Sequence, residues 1–180
     1  MTAQRIKPTK STKKTILIVG EGATETAFLQ HVKELLIPRD AKFNVKIECG
    51  FGGGPRGVVQ RTIRLRSSRA YDRCFVLVDS DRPFESDRKL EELMRKKPRV
   101  EMLVSTPCVE GLFLAILQHP NFSQAGATSS YCKQEFEAKY IPADKKTDKR
   151  AYAERFTQRV IEDRRHAVLE LDAVLKAMQV

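Results

Sequence analysis

A short aliphatic run, TILIVGEG at residues 15–22, determines how the chain begins to fold. Residues 15–19 are all aliphatic or β-branched, and Gly20 follows them. Such a run is typical of a strand buried on both faces, as in a parallel sheet. A second run of the same kind, CFVLVDSD at residues 74–81, ends in two aspartates. We therefore expect both runs to be buried strands of one parallel sheet.

Strand and helix patterns alternate around these two runs. The order βαβαβαβ predicts an α/β fold, a four-stranded parallel sheet flanked by helices, with right-handed crossovers. The predicted strands are residues 15–19, 43–48, 74–78 and 100–104. The predicted helices between them run from Thr24 to Pro38, through residues 58–65 after a glycine-rich turn at 50–54, and from Glu85 to Lys97. A further helix is expected near residues 108–118.

The same patterns divide the chain into three parts. Residues 1–13 are predicted to form a flexible basic arm, because they contain basic residues and no acid. Residues 14–118 form the predicted α/β core. Residues 119–180 are predicted to be a mainly helical C-terminal extension packed on the core. Within it we expect loops with one short helix over residues 119–148 and a long helix from about Lys149 to Met178.

Composition and length describe a folded chain with one core. The chain has 180 residues, of which 41% are hydrophobic and 31% charged. No apolar run approaches the roughly 20 residues that a membrane span needs, so no membrane contact is expected. The 4 cysteines are widely spaced and form no CxxC pair, which argues against a zinc ribbon and a disulfide framework. We expect reduced thiols and a cytoplasmic protein.

The positive charge of the chain is concentrated in two segments. The formal net charge is +10, and most of the excess lies in residues 1–14 and 56–73. A basic surface of this kind is typical of a protein that binds a polyanion, although a solvated surface and tail would give the same pattern. The predicted nucleic-acid contacts are Arg56, Arg61, Arg64 and Arg66.

Carboxylates follow the predicted strands at one edge of the sheet. Glu21 follows the first strand, and Asp79 and Asp81 follow the third. The carboxyl ends of parallel strands share an edge, where open α/β sheets bind ligands. Two carboxylates about 4 Å apart repel by about 4 kcal/mol at an effective dielectric constant near 20, so the cluster needs a raised pKa or a cation. Such oxygen ligands suit Mg²⁺ or Mn²⁺. Alternatively, Asp81 caps a turn and Glu21 is a loop acid.

Three segments resemble known families. ILIVGEGATE at residues 16–25 and FVLVDSD at 75–81 resemble the Toprim fold of topoisomerases, primases and OLD-type nucleases. STPCVEGLFL at residues 105–114 resembles the Ser-Asn-Pro-x-Phe-Glu-x-Trp segment of RloB-like proteins, a prokaryotic family of restriction and anti-phage defence loci. The resemblance covers about residues 14–118. It implies a Toprim-like Rossmannoid core and membership of the RloB-like family.

The resemblance also implies a function. We expect a Mg²⁺- or Mn²⁺-dependent nuclease that cleaves DNA or RNA and serves as an anti-phage effector, with an ATPase encoded by a neighbouring gene as its partner. By resemblance Glu21 is a metal ligand or general acid/base, and Asp79 and Asp81 hold the metal. Two further acids of the family pattern fall on Glu25 and Glu110. Each lies in the first turn of a predicted helix, where the helix dipole alone favours an acid.

The sequence departs from both family patterns. Pro83 stands where topoisomerases and primases have another aspartate, which favours the nuclease branch. Thr106, Val109 and Leu112 stand where the RloB-like pattern has Asn, Phe and Trp. Because the acids are retained, catalysis is still expected, and the substrate contacts are expected to differ.

Two other functions fit parts of the sequence. A non-catalytic module that binds nucleic acid or a partner would use the basic surface and need no metal. A nucleotide could bind at GEGATE, residues 20–25, but Glu25 replaces the third glycine of the dinucleotide-binding turn and Glu21 would face the pyrophosphate. The glycine-rich turn at 50–54 lacks the Gly-Lys-Ser/Thr of a P-loop. Binding of a divalent metal separates the nuclease from the non-catalytic module.

Overall fold

The computed structural model describes residues 13–180, and these form an α/β fold around one parallel sheet. The strand order is β2-β1-β3-β4, and every neighbouring pair is parallel. The strands are β1 (Lys14–Gly20), β2 (Phe43–Cys49), β3 (Arg73–Asp79) and β4 (Val100–Ser105). The prediction of four parallel strands is confirmed, and each predicted strand end lies within one residue of the observed one. The predicted basic arm lies outside the described residues, apart from Lys13.

Helices cover both faces of the sheet. One face is covered by α2 (Gly54–Ser68) and α3 (Arg88–Arg95). The opposite face is covered by α1 (Ala23–Leu36), α4 (Val109–Ile116), α5 (Ser129–Lys139), α6 (Gln158–Arg164) and α7 (Leu169–Ala177). The arrangement is consistent with a Toprim-like Rossmannoid fold. Within the described chain, no helix has both the length and the apolar character needed to cross a membrane.

Strand β1 is buried on both faces, as its aliphatic sequence predicts. Ile16 and Ile18 pack into the core under α1 and α4, whereas Leu17 and Val19 pack into the core under α2. All four side chains are fully buried. Because successive side chains of a strand point to opposite faces, only a continuous apolar run can fill both cores at once.

The strand order creates a crevice beside β1. The chain leaves β1 through α1 towards β2 on one side, and it leaves β3 through α3 towards β4 on the other side. The connections therefore diverge between β1 and β3. In open α/β sheets such a topological switch point, at the carboxyl ends of the strands, is the usual place for a ligand. Glu21 and Asp79 lie there.

The long helix predicted from Lys149 to Met178 is wrong. This stretch contains a 3₁₀ helix at Lys149–Tyr152 followed by α6 and α7. A straight helix of that length would extend about 45 Å, well beyond a four-stranded sheet about 20 Å wide. Breaks near Thr157 and Val168 instead fold all three pieces onto one core, where Tyr152 and Phe156 pack around Phe28. The Thr157 side chain accepts a hydrogen bond from the Val160 amide and so starts α6 as a new helix.

Candidate functional site

Five acids line one cavity at the switch point. The cavity has a volume of about 410 Å³. It is lined by all five acids that the sequence predicts as site residues, namely Glu21, Glu25, Asp79, Asp81 and Glu110, and we call it the acid cavity. Basic side chains of Arg82, Lys133 and Lys146 also line it. Larger cavities exist elsewhere, including one of about 640 Å³ against α4 and α7, but none of them gathers these acids.

Two glycines let the loops around Glu21 pack closely. A Cβ atom built on Gly20 would lie 2.8 Å from the Glu25 Cβ, and one built on Gly50 would lie 2.9 Å from the carbonyl oxygens of Gly20 and Glu21. Either contact is too short for real atoms, so a side chain at either position would push the loops apart. The amide of Gly50 donates to the Gly20 carbonyl at 2.7 Å, and the amide of Gly52 donates to the Glu21 carbonyl at 3.0 Å. These contacts fix the backbone that carries Glu21.

Glu21 and Asp79 lie side by side at the ends of their strands. The Glu21 amide donates to the Leu77 carbonyl at 3.0 Å, and the Glu21 Oε2 atom lies 3.4 Å from the Asp79 amide nitrogen. Asp79 Oδ1 accepts a hydrogen bond from the Val109 amide, at the start of α4, at 2.9 Å. Glu21 and Asp79, which follow separate strands, therefore meet at one edge of the sheet, as the sequence predicts.

The acid cavity holds more negative charge than its walls compensate. Burial, followed by repulsion from Glu25, Glu110, Glu21 and Asp81, raises the pKa of Asp79 from 3.8 to about 8. Burial also raises the pKa of Glu25 above its ordinary value, against the effect of its backbone hydrogen bonds. A raised pKa marks a site where the ionised carboxylate is disfavoured, and a bound cation relieves the same repulsion.

Two of the five acids are fixed by a helix cap or an ion pair. Glu25 Oε2 accepts a hydrogen bond from the Gly22 amide at 2.8 Å, which closes the first turn of α1 as in a capping box. Glu110 pairs with Lys146 at 2.9 Å, and Lys146 also pairs with Glu137 at 2.6 Å. Burial lowers the pKa of Lys146, but hydrogen bonds to the two glutamates outweigh burial and leave this pKa above its ordinary value.

The other three acids form no ion pair in the described part of the chain. Across residues 13–180, no lysine, arginine or histidine forms an ion pair with Glu21, Asp79 or Asp81. These are the acids that the sequence predicts as metal ligands. The site therefore divides into two acids held by a helix cap or an ion pair and three acids whose side chains bond at most to backbone amides within residues 13–180.

The donor set fits a hard divalent cation held by few protein ligands. Within residues 13–180, no three acidic, histidine or cysteine side chains are arranged to enclose a metal ion on their own. That excludes a closed cage in this part of the chain, such as structural zinc sites use. Mg²⁺ instead keeps several waters and takes one or two carboxylates together with substrate phosphates. Glu21, Asp79 and Asp81 offer only oxygen ligands, which suit Mg²⁺ or Mn²⁺.

Arg66, one of the four arginines predicted to bind nucleic acid, has a structural role. Its guanidinium donates to the carbonyls of Leu93, Lys96 and Pro98 at 2.9, 2.9 and 2.8 Å. These carbonyls belong to the end of α3 and the loop after it. Because three of its donors are engaged, Arg66 anchors α3 to α2, and contact with a phosphate would compete with those bonds.

The other three arginines differ in how they are held. Arg56 pairs at 2.6 Å with Asp87, which caps the start of α3. Arg61 donates through Nε to the Cys49 carbonyl at 2.8 Å. Arg64 is exposed and forms no ion pair with any residue of 13–180, so of the four it is the one best placed to meet a phosphate. Phosphate contact by this group stays a prediction.

Sequence patterns did not identify the basic residues of the acid cavity. Arg82 could have been found, because it directly follows Asp81. Lys133 and Lys146 come from α5 and the loop beyond it, a stretch of weak periodicity more than 20 residues away from Glu110 in sequence. Only the packing of the extension against the core brings them to the site.

Comparison with known proteins assigns a family to nearly the whole described chain. Residues 16–178 match the family model described as RloB-like protein. No curated protein and no solved structure matches the chain. The matched range includes all five acids of the cavity as well as the C-terminal helices.

Proposed function

The chain belongs to the RloB-like family, and from this premise we propose that it hydrolyses phosphodiester bonds of DNA or RNA with the help of Mg²⁺ or Mn²⁺. One observation carries the proposal: three acids that form no ion pair within residues 13–180 line a cavity of about 410 Å³ at the carboxyl edge of β1 and β3. Burial first, and then repulsion from Glu25, Glu110, Glu21 and Asp81, raises the pKa of Asp79, and a bound cation would relieve that repulsion.

One or two carboxylates from Glu21, Asp79 and Asp81, completed by water and a substrate phosphate, would hold the divalent ion. Such an ion would supply Lewis acidity towards a phosphate oxygen and a water of lowered pKa. The residues around it would position the substrate. Arg82 and Lys133 line the cavity and would attract a phosphate group. Glu25 is held by its bond to the Gly22 amide and would keep the Glu21 loop in place.

The proposal is tested by cleavage of labelled single-stranded DNA, duplex DNA and RNA with Mg²⁺, with Mn²⁺ and with EDTA. We expect divalent-dependent cleavage by the wild type and a loss of at least ~100-fold in Asp79→Asn, the scale of removing one electrostatic catalytic group. Asn at this position can still accept the hydrogen bond from the Val109 amide, so folding should persist.

Asp72→Asn is the matched control. Asp72 precedes the opposite end of β3, where its carboxylate accepts a hydrogen bond from the Thr15 amide at 2.6 Å. This variant should cleave as the wild type does. A wild type that binds nucleic acid in EDTA, and neither binds a divalent ion nor cleaves, would instead be a non-catalytic binding module.

We also propose that an ATPase encoded by a neighbouring gene is the partner that controls cleavage in an anti-phage defence system. A basic, metal-dependent nuclease is a hazard to its own cell and needs restraint. Co-expression with that ATPase, pull-down, and cleavage assays with and without ATP test the idea. Full activity of the isolated chain without capture of the ATPase would contradict it.

A further inference from the structure

A large aromatic side chain lies exposed beside the acid cavity. Phe51 is 77% exposed and belongs to the turn between β2 and α2. The next residue, Gly52, lines the acid cavity, and its amide donates to the Glu21 carbonyl at 3.0 Å. Phe51 therefore lies one residue in sequence from the wall of the acid cavity, and burial in the core does not explain its presence.

The backbone holds Phe51 in an unfavourable conformation. Its φ angle is +62°, in the left-handed region that bulky residues rarely adopt. Bonds on both sides keep it there: the Gly50 amide donates to Gly20, the Gly52 amide donates to Glu21, and the Phe51 amide donates to the Cys49 Sγ atom at 3.4 Å. A fixed, strained and exposed residue of this kind is most often found at ligand sites.

A guanidinium supports one side of the ring. The Arg61 Cζ atom lies 4.7 Å from the centroid of the Phe51 ring, and the Nε atom of the same arginine is fixed by the Cys49 carbonyl at 2.8 Å. This cation–π contact orients the ring before any ligand arrives. Arg64 follows three residues later on α2, so it is a neighbour of Arg61 on the helix surface.

We propose that Phe51 is a stacking platform for an unpaired base of the nucleic-acid substrate. The inference rests on the proposed function and deepens it, because it names single-stranded or unpaired nucleic acid as the substrate class. Aromatic rings next to basic residues are how proteins bind single strands: the ring stacks on the base and the cations contact the backbone. In a duplex the faces of the bases are covered, so the ring would have no partner there.

The test is the affinity of a fluorescent single-stranded oligonucleotide in EDTA, measured by anisotropy, with a duplex of the same sequence in parallel. Phe51→Leu keeps an apolar side chain and removes the π face. It should weaken single-strand binding by roughly 5- to 150-fold, the range for one lost base–aromatic stack, and leave duplex binding unchanged. Phe51→Tyr retains the ring and should bind as the wild type does.

Leu169→Ala is the matched control, because Leu169 is 79% exposed and lies at the start of α7. It should not alter either affinity. Equal single-strand affinities of wild type and Phe51→Leu, or an equal loss on single strand and duplex, would overturn the inference.

Binding in EDTA does not depend on hydrolysis. A Phe51 effect on single-strand affinity in a protein that never cleaves would remove the nuclease proposal and leave the stacking platform standing. If the protein cleaves nucleic acid but its single-strand affinity does not depend on Phe51, the stacking platform is removed and the nuclease proposal stands.

Discussion

The acid cavity and the arginine-rich helix α2 are both strongly charged, but the protein holds their charged groups in different ways. On α2, Arg66 bonds to three backbone carbonyls and Arg56 pairs with Asp87. In the acid cavity, Glu21, Asp79 and Asp81 have no ion pair within residues 13–180, and the pKa of Asp79 is raised to about 8.

The difference shows how a charged cluster is to be interpreted. A charged side chain that is bonded within the fold stabilises the fold. Counting such side chains in the sequence therefore overestimates the charged surface available to a partner. A charge that the fold leaves unsatisfied, at the edge where ligands bind, carries an energetic cost that a bound ion would remove. The number of arginines thus overestimated the surface available to a ligand, whereas the placement of the acids correctly predicted that they share one cavity.

Removing the one lysine that the structure shows paired with an acid of the cavity should have the largest effect on stability. Lys146→Met leaves Glu110, which is 3% exposed at the side chain, without its counter-charge. We expect the free energy of unfolding to fall by about 3 kcal/mol, as when one partner of a buried ion pair is removed. Urea unfolding at neutral pH measures it.

Lys139→Met is the control for that loss. Lys139 pairs with Glu135 one helical turn away, and its side chain is 56% exposed. An exposed pair of this kind should contribute far less to stability than the buried pair of Lys146. Equal losses in the two variants would show that the acid cavity does not depend on an internal cation.

The variant Arg66→Ala should show that Arg66 stabilises the fold and does not bind nucleic acid. Loss of the bonds to the Leu93, Lys96 and Pro98 carbonyls should destabilise the fold by about 2 kcal/mol. It should leave the salt dependence of nucleic-acid binding unchanged. Unfolding curves and binding titrations over a series of salt concentrations measure the two effects.

Arg64→Ala should show the opposite pattern. Stability should change by less than ~0.5 kcal/mol, as for an exposed residue. The slope of log affinity against log salt should become shallower by ~0.9 on duplex DNA if one phosphate contact is lost. A reversed pattern would assign Arg66 to the nucleic acid and Arg64 to the fold.

Stability should fall with rising pH because of Asp79. Its pKa is 3.8 ordinarily and about 8 in the fold, so between these values the folded state holds a proton that the unfolded state has lost. The free energy of unfolding should therefore decrease as pH rises through this window, by at most ~1.4 kcal/mol per pH unit, and level off above it. Urea unfolding of wild type and Asp79→Asn across the window measures it, and equal slopes would contradict the raised pKa.

The parts of the fold that follow from local sequence were predictable. The aliphatic runs ending at Gly20 and Asp79 identify buried parallel strands, because no other common element places consecutive apolar residues in two cores. Once those strands are assigned, Glu21 and Asp79 must share an edge of the sheet. The family resemblance of residues 16–25 and 105–114 added Glu25 and Glu110.

The parts that depend on distant packing were not predictable. The apolar spacing around Phe156 fits one long helix as well as three short pieces, and only the limited width of the core decides between them. Lys146 reaches Glu110 only through the fold of the extension. Likewise, a count of arginines cannot show that Arg66 is bonded to the loop after α3.

Divalent-metal binding tests the central claim, that Glu21, Asp79 and Asp81 form a metal site, most directly. Calorimetric titration of the full chain with Mn²⁺, and Mn²⁺ displacement by Mg²⁺, should be done at several pH values up to about 8, because protons compete with the metal for the Asp79 carboxylate, whose pKa is raised. We predict saturable binding at one site that both ions share, and this binding should weaken as pH falls. It should be lost in Asp79→Asn and retained in Asp72→Asn. A wild type that binds neither ion, or an Asp79→Asn variant that binds as tightly as the wild type, would contradict the account.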